Sequence, residues 1–407
     1  MLSNRWSVLA LLFGVRCAMG IQFQSVPAVS PLYLSNYALT LADLGSLIGL
    51  YFAPGIFLAL PGGALGQKFG EKRLVIVGLG LMALGSLTMA LGANIGVLIA
   101  GRIVSGVGGI LMNVLMSKMV TDWFAGKEIA TAMGIFVDSW PLSIALALIV
   151  LPPLANSLGL PTSLVAVAVY AIIGMLLIAV MYSSPAQLGA ANSAQSSATR
   201  NSALEQSPEA AWPKGAGLAA LIIAGSIWGL YNAALVMVFS FGPTLLGERG
   251  VGMVAASATT SIALWTAALS VPLGGVIADR TGRHDLVMIF GFMSFAILLA
   301  LAARSQADYL LFCLIGLLGG VSAGPIMSLP SRVLSPRTRS IGMGLFFTIF
   351  YAVQLTAPAV AGVLAKTSGS ARSAFDLGAL MLLACALFLA LYHVLRRLQE
   401  QVKPVQV

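Results

Sequence analysis

Apolar residues in this chain run in long blocks, and polar residues collect in the short breaks between them. Twelve blocks result: 6–29, 42–63, 73–93, 95–117, 128–151, 162–182, 215–243, 252–277, 285–303, 307–330, 340–364 and 373–395. The hydrocarbon core of a bilayer is about 30 Å thick and takes about 20 helical residues to cross. Each block is long enough, and none alternates with the period of two that a membrane barrel requires. Lipid offers no partner to a bare N–H or C=O, so a helix is the spanning element these blocks can form. The first block ends without a small-residue cleavage site and more blocks follow, which makes it a span and not a cleaved signal peptide.

One break differs from the rest. Residues 183–214 are rich in Ala, Ser, Asn and Gln and poor in large apolar side chains. Such a stretch buries too little surface to offset its ordering entropy and is expected to be a mobile linker. The chain therefore divides into 1–182 and 215–407, six spans each, around the linker 183–214. Composition agrees: 59% of residues are hydrophobic and only 9% charged, with a mean hydropathy of +0.97. A soluble domain carries roughly 25% charged residues. The expected fold class is an all-α membrane protein of twelve transmembrane helices in two pseudo-symmetric six-helix bundles.

The net charge of +9 changes the picture only through its distribution. With the first residue placed inside, the inner loops hold Arg5, Lys68, Lys72, Arg73, Lys118, Lys127, Arg200, Lys214, Arg280, Arg283, Arg332, Arg337, Arg339, Arg396, Arg397 and Lys403. The outer side holds Arg249, Arg304, Lys366 and Arg372. This bias places both termini in the cytoplasm, in the inner membrane of a bacterium, and makes nucleic acid a poor partner. Cys17, Cys313 and Cys385 are too scattered for a metal site, and an odd count gives no disulfide framework. No metal or other cofactor is expected.

The two halves echo each other. Gly63-Ala-Leu-Gly-Gln-Lys-Phe-Gly-Glu-Lys-Arg73 follows the second span, and Gly275-Val-Ile-Ala-Asp-Arg-Thr-Gly-Arg-His-Asp285 follows the eighth, 212 residues later. Ala132-Met-Gly-Ile-Phe136 is matched by Gly342-Met-Gly-Leu-Phe346. Six-span halves that both start inside are related by an axis along the membrane normal, and such parallel halves hold a solute site near the midplane between them.

An ionisable side chain inside a span is costly and marks a candidate site. Arg16, Arg102 and Asp138 are such residues. Arg16 and Asp138 each lie about ten residues, or about 15 Å, into spans that run outward, near the midplane. Arg102 lies nearer the outer third, in a Gly-rich run that suits close backbone packing, so a structural role competes with one in coupling. The second half has no midplane charge. Its candidates are Trp228, Tyr231 and Asn232 on the seventh span, Trp265 on the eighth, and Tyr351 and Gln354 on the eleventh. Trp228 and Asn232 share a helix face, as do Tyr351 and Gln354. At the repeat offset Trp228 matches Arg16, and Tyr351 comes close to Pro141. Gln22 and Gln24 are polar and buried in the first span, with hydrogen bonding to neighbouring helices as the plain reading. Pro27, Pro54, Pro141, Pro272, Pro325 and Pro358 free carbonyls that neighbours must satisfy, as fixed kinks or as bending points.

The repeated loop resembles the signature of the major facilitator superfamily, Gly-x-Leu-Ala-Asp-Arg-x-Gly-Arg-Lys. The second copy fits at Gly275, Ala278, Asp279, Arg280, Gly282 and Arg283. The first keeps Gly63, Gly70 and Arg73 but has Gly66 where the family has Asp, Gln67 where it has Arg, and Glu71 where it has Arg. The resemblance implies an inner latch between helices, with an acidic partner only in the second half. Gly101-Arg102-Ile-Val-Ser-Gly106-Val-Gly108 resembles the family's fourth-helix motif. The fifth span, Gly134-Ile-Phe-Val-Asp-Ser-Trp-Pro141, lacks the Gly-Pro motif of drug/proton antiporters. Within the superfamily the chain resembles the cyanate/nitroimidazole permease group, through Met116–Gly126, Gly324–Pro336 and Gly342–Tyr351.

The resemblance implies secondary transport of a small anionic or weakly acidic solute by a monomer, with helices one and five side by side at the cavity. Arg16 and Asp138 are then expected to approach each other. Arg16 offers a planar donor fork for an anion, and protonation of Asp138 releases it, coupling transport to a proton. The rival readings are an exporter of neutral or cationic drugs, a membrane receptor that binds without transporting, and an intramembrane enzyme. The lone central Arg speaks against the exporter. Short chain ends speak against the receptor. The lack of a nucleophile–base pair speaks against the enzyme, since His284 and His393 fall at cytoplasmic helix ends. No Gly-xxxx-Gly-Lys-Ser/Thr loop occurs, which argues against ATP drive.

Overall fold

The computed structural model describes residues 4–59, 61–124, 129–184, 215–334 and 339–402. All regular elements among them are helices. Twelve spans are long and apolar enough to cross a bilayer. In order they are Arg5–Gln24, Leu41–Leu58, Glu71–Ala90, Ile95–Trp123, Ile135–Leu158, Leu160–Met181, Gly215–Glu248, Met253–Thr281, His284–Arg304, Asp308–Met327, Ile341–Ser368 and Arg372–Arg397, numbered first to twelfth below. An even number of crossings returns the last span to the face from which the first starts. That side is called the terminal face, and the opposite side the far face. The expected linker 183–214 lies outside the described residues from 185 onward.

Local chemistry sets the span ends. Asn4 and Asn94 accept from Trp6 N and Val97 N and start the first and fourth helices. Thr40 and Asp43 exchange hydrogen bonds in a capping box at the start of the second. Gly70 and Gly282 turn the chain after the second and eighth spans with φ of +86° and +66°, a region open to glycine at no steric cost. These positions are 212 residues apart, so the internal repeat is present in the backbone as well as in the letters.

The expected spans end too soon in several places. The fifth was expected to stop at 151, yet its helix runs Ile129–Leu158 through Pro152 and Pro153, which a membrane helix tolerates when the freed groups find other partners. The fourth continues past 117 to Trp123. Three spans break internally. The first gives way after Gln24 to a 3-10 turn at Pro27–Val29, the second breaks between Leu50 and Ala53, and the tenth between Gly319 and Ala323. Pro27, Pro54 and Pro325 lie at or beside these breaks, whereas Pro141, Pro272 and Pro358 sit inside unbroken helices.

Helices of the first half pack on one another, as do those of the second, and close glycine contacts set the spacing. A Cβ added at Gly78 would stand 2.8 Å from the Gly108 carbonyl, and one added at Gly101 2.7 Å from that of Gly85, so the third and fourth spans touch backbone to backbone. The halves meet where the second span packs on the eleventh, the fifth on the eighth and the turn Pro27–Val29 beyond the first span on the seventh. At the second–eleventh seam a Cβ on Gly45 would lie 2.9 Å from Gly362 Cα. Large apolar side chains such as Leu387 (73% exposed) and Val180 (69%) face outward, as expected where lipid is the solvent.

Candidate functional site

Arg16 sits 11 residues into the 20-residue helix of the first span, roughly 16 Å along a length of roughly 30 Å. Its side chain is buried and reaches two neighbouring spans. Nε and Nη2 donate to Asn113 Oδ1 on the fourth span, at 3.3 and 2.9 Å. Nη1 donates to the fifth span, at 3.0 Å to the Phe136 carbonyl, 3.2 Å to that of Val137 and 2.7 Å to Ser139 Oγ. The guanidinium lies 4.6 Å from the centre of the Phe136 ring. Asn113 in turn donates from Nδ2 to Tyr351 Oη at 3.2 Å. Since Tyr351 belongs to the eleventh span, this chain of donors ties Arg16 to the other half.

The expected pairing of Arg16 with Asp138 is not formed. Asp138 is half-buried between Val137 and Ser139 and makes no ion pair among the described residues, while the guanidinium is held by carbonyls, a hydroxyl and an amide. The reason is angular: neighbouring residues on a helix point about 100° apart, and the fifth span turns Phe136 and Ser139 inward. Arg16 thus carries a full charge at the midplane with no described carboxylate against it. Among the described residues Nη2 donates only to Asn113, which is itself half-buried.

Aromatic rings surround this group. Phe52 stands 6.1 Å from Tyr351, 6.3 Å from Phe350 and 6.2 Å from Trp140, measured between ring centres. Trp228 lies 6.3 Å from Phe350 and 6.1 Å from Tyr231. Trp140, Trp228 and Phe350 are only half-buried. Rings from the second, fifth, seventh and eleventh spans therefore converge beside Arg16 and Tyr351.

Other candidates are placed differently. Tyr231 is buried against Phe292 and Phe295 of the ninth span and donates to the Gly319 carbonyl at 3.0 Å. That oxygen is freed by the break in the tenth span, where Ala323 N turns to Gly320. Tyr231 thus fills a gap in a helix and does not line the seam. Asn232 donates to its own Trp228 carbonyl at 2.8 Å. Gln354 donates to the Gly229 carbonyl at 3.3 Å, and its buried Oε1 has no partner among the described residues. Trp265 is 42% exposed on a span that turns Ala263, Ser270 and Gly274 to the tenth, and among the described residues no ring contact or hydrogen bond joins it to the Arg16 group.

Arg102 is fully buried and donates to three backbone carbonyls: Leu47 (3.0 Å), Gln22 (2.8 Å) and Phe23 (3.0 Å). The Phe23 oxygen would normally meet the N–H of residue 27, which is Pro27 and has none. Tyr51 N, the usual partner of Leu47, turns to Gly49. Arg102 therefore closes the breaks in the first and second spans. Gly106 leaves room for the Tyr51 carbonyl and Gly108 for that of Gly78, both of which a Cβ would strike. Gln22 bridges Ser105 and Ser86 at 2.8 and 2.5 Å, and Gln24 donates across to Phe239 O at 2.8 Å.

In the latch loops, Asp279 has an 80% exposed side chain 3.7 Å from His284 of its own half. Arg73, Arg280 and Arg283 are exposed at the terminal face. In the first copy the side chain of Leu115 occupies the place that a carboxylate at Gly66 would need, and Glu71 pairs instead with Lys118. Gly63 lies in the short helix Gly62–Phe69 and Gly275 near the end of the eighth span.

Asn113, Ser139, Phe52, Trp140 and Phe350 escaped the sequence reading. Asn113 was discoverable as an amide deep inside the fourth block. The rings gave no signal, because an apolar side chain at the seam has the same letter as one facing lipid.

The geometry has a match among known families. The Major Facilitator Superfamily pattern fits residues 11–263 and 218–406. The chain belongs to that superfamily. The inner membrane transport protein YajR of Escherichia coli (strain K12) is 27% identical over 155 residues, 38% of this chain and 34% of that one. The quinolone resistance protein NorA of Staphylococcus aureus (strain Mu50 / ATCC 700699) is 29% identical over 106 residues, 26% of this chain and 27% of that one. The alignments thus span about a third or less of these relatives. Among solved structures, a mutant of the nucleoside transporter NupG has a TM-score of 0.72 at 15% identity, covering 94% of this chain and 99% of that one. A bacterial homologue of the human lysosomal transporter Spinster, inward-facing and occupied, also scores 0.72 at 15% identity, covering 98% of both chains. These two structures share the helical fold of this chain.

Proposed function

We propose that this chain is a secondary active transporter of a small anion, working as a monomer by alternating access in the cytoplasmic membrane of a bacterium, with its terminal face inside. The observation that carries the reading is the Arg16 guanidinium: buried at the midplane, uncompensated by any described carboxylate, with one donor that meets no described acceptor beside half-buried Asn113 and buried Tyr351. A buried charge without a counter-charge is expensive, and a bound anion supplies it. The likeness to cyanate/nitroimidazole permeases points to the same solute class.

Proton coupling is assigned to Asp138, which flanks two residues that touch Arg16. In this conformation the guanidinium is already free of it, so coupling requires Arg16 to exchange its fifth-span partners for Asp138 in another state. Hydrogen bonds from Gln24 to Phe239 O, between the Ser30 and Thr244 hydroxyls, and from Ser257 to Ala28 O join the halves at the far face. They fit the stage of a rocking cycle in which solute passes through the terminal face.

Drug export is the second reading. The relative named for quinolone resistance and the ring of aromatic side chains favour it. Uptake of small anions into proteoliposomes, with and without a pH gradient, separates the two. Arg16→Ala is expected to abolish anion uptake in protein that still elutes as a folded monomer, and Asp138→Asn to lose gradient drive but keep exchange. Normal uptake by Arg16→Ala removes the anion site. Efflux of planar cationic dyes, unaffected by Arg16→Ala, would establish the exporter instead.

A further inference from the structure

Tyr351 belongs to the eleventh span, yet its ring lies inside the first half. A Cβ added at Gly55 of the second span would strike Tyr351 Cγ and stand 2.6 Å from Cδ2, so the ring fills a slot that glycine leaves open. Its centre is 6.1 Å from that of Phe52. From this slot the phenol meets Asn113. Asn113 Nδ2 donates to Tyr351 Oη at 3.2 Å, and Asn113 Oδ1 accepts from Arg16 Nη2 at 2.9 Å. One planar amide thus holds a guanidinium of the first half at one corner and a phenol of the second half at the other.

The hydrogens around this amide define what it lacks. Tyr351 Oη accepts from Asn113, and among the described residues its own O–H reaches no acceptor. Arg16 Nη2 and Asn113 Nδ2 carry two hydrogens each, and among the described residues each nitrogen has one partner group, Nη2 the Asn113 oxygen and Nδ2 the Tyr351 oxygen. The group therefore has donors left on both sides of the seam and one positive charge. An ionised carboxylate is acceptor-only and presents two oxygens. It can take a hydrogen bond from each half and supply the counter-charge at once. An amide of the same shape turns an N–H toward a donor at one of its corners.

Apolar surface adjoins these donors. Phe350 stands 5.0 Å from Tyr351 and 6.3 Å from Phe52, and Phe52 stands 6.2 Å from Trp140, measured between ring centres. Phe350 and Trp140 are only half-buried, so each keeps ring surface that no protein neighbour covers. An inorganic anion meets the donors alone. A carboxylate on a flat apolar body meets the donors and the rings.

We propose that the seam binds an aromatic monocarboxylate, with its oxygens on Arg16 Nη2 and the Tyr351 hydroxyl and its ring against Phe350 and Trp140. Asn113 is the positioning residue that sets the spacing of the two donors. The proposal rests on the reading of Arg16 as an anion site and narrows it. A single charge follows from the cations at hand: Arg102, also buried in this half, donates with all three nitrogens to backbone carbonyls, so a second carboxylate on the solute finds no partner there. Because each half gives one donor, the solute is held at both oxygens only while the halves are together.

Isothermal titration calorimetry of the purified full chain with benzoate, formate, benzamide and phthalate tests this. Wild type is expected to bind benzoate about tenfold or more tighter than formate, which lacks the ring. The same margin is expected over benzamide, which lacks the charge, and over phthalate, whose second carboxylate is unpaired. Tyr351→Phe keeps the ring in its slot and deletes the hydroxyl, and is expected to weaken benzoate about tenfold or more. Phe350→Leu is expected to narrow the gap between benzoate and formate, a ratio that a general loosening of the seam would not move. Asn113→Asp sets a carboxylate of the chain's own against Arg16 and is expected to abolish binding of both anions. Equal affinities for benzoate and formate, benzamide bound as tightly as benzoate, or an unaltered benzoate affinity in Tyr351→Phe each overturn the proposal. The anion site itself survives these results if formate binding is lost in Arg16→Ala. Wild type that binds neither benzoate nor formate brings down both.

Discussion

Two buried guanidiniums in one bundle have opposite surroundings. Each of the three nitrogens of Arg102 donates to a backbone carbonyl at or beside a helix break, two of which the break has stranded, and the side chain has no exposed surface. Arg16 is held as firmly on one side but borders half-buried polar groups on the other. The first arrangement is a repair of the backbone and the second a site with room for a partner. Removing Arg102 should therefore damage the fold. A hydrogen bond to a charged group contributes about 1.5–3 kcal/mol, so Arg102→Leu is expected to lower the melting temperature in detergent and the yield of monodisperse protein. Arg16→Ala should leave both nearly unchanged while removing transport. If Arg102→Leu melts as the wild type does, the three carbonyls find donors elsewhere and the repair role fails.

At the scale of the element, breaks in the spans coincide with buried donors. Pro27 strands the Phe23 carbonyl and Arg102 meets it. The tenth span strands Gly319 and Tyr231 meets it. Lipid supplies no donor of its own, so a break and its donor come as a pair. Tyr231→Phe deletes that donor without changing the ring, and is expected to cost about 1–3 kcal/mol of stability. Thermal unfolding reports the loss, and solute affinity should be unchanged because Tyr231 packs away from Arg16. A drop in affinity without a drop in melting temperature would return Tyr231 to the seam. The prolines in unbroken helices show that the letter Pro alone does not decide where a span gives way.

For the whole molecule, the seam between halves is closed at the far face by contacts that only small residues allow. Gly45 meets the Pro358 carbonyl and Gly362, and Gly49 meets the Leu355 carbonyl. A side chain at Gly45 cannot fit while the second and eleventh spans are in contact. Gly45→Leu is expected to hold the far face open and slow transport about tenfold or more, by an energy above about 1.4 kcal/mol. A cysteine placed at Gln24 should then react with impermeant thiol reagents from the far side faster than it does with Gly45 intact. Unchanged labelling would mean that this contact does not gate the far face.

The twelve spans, the two halves and the terminal-face charge were legible in the letters, because hydrocarbon thickness and the exclusion of charge from lipid act on composition alone. Arg16 was legible for the same reason: a guanidinium inside a span is too costly to be incidental. Its partners were not. A shift of one residue along the fifth span moves a side chain about 100° around the helix, and that rotation separates Ser139, which touches Arg16, from Asp138, which does not. The roles of Arg102 and Tyr231 depend on which carbonyls the broken helices leave unpaired, and Phe52 and Phe350 are told from lipid-facing phenylalanines only by the neighbours that packing brings them. Burial energy depends on how much apolar surface there is, so the sequence specified that this chain crosses a membrane. Hydrogen bonds depend on direction as well as distance, so the tertiary structure decided what each polar group inside the membrane meets.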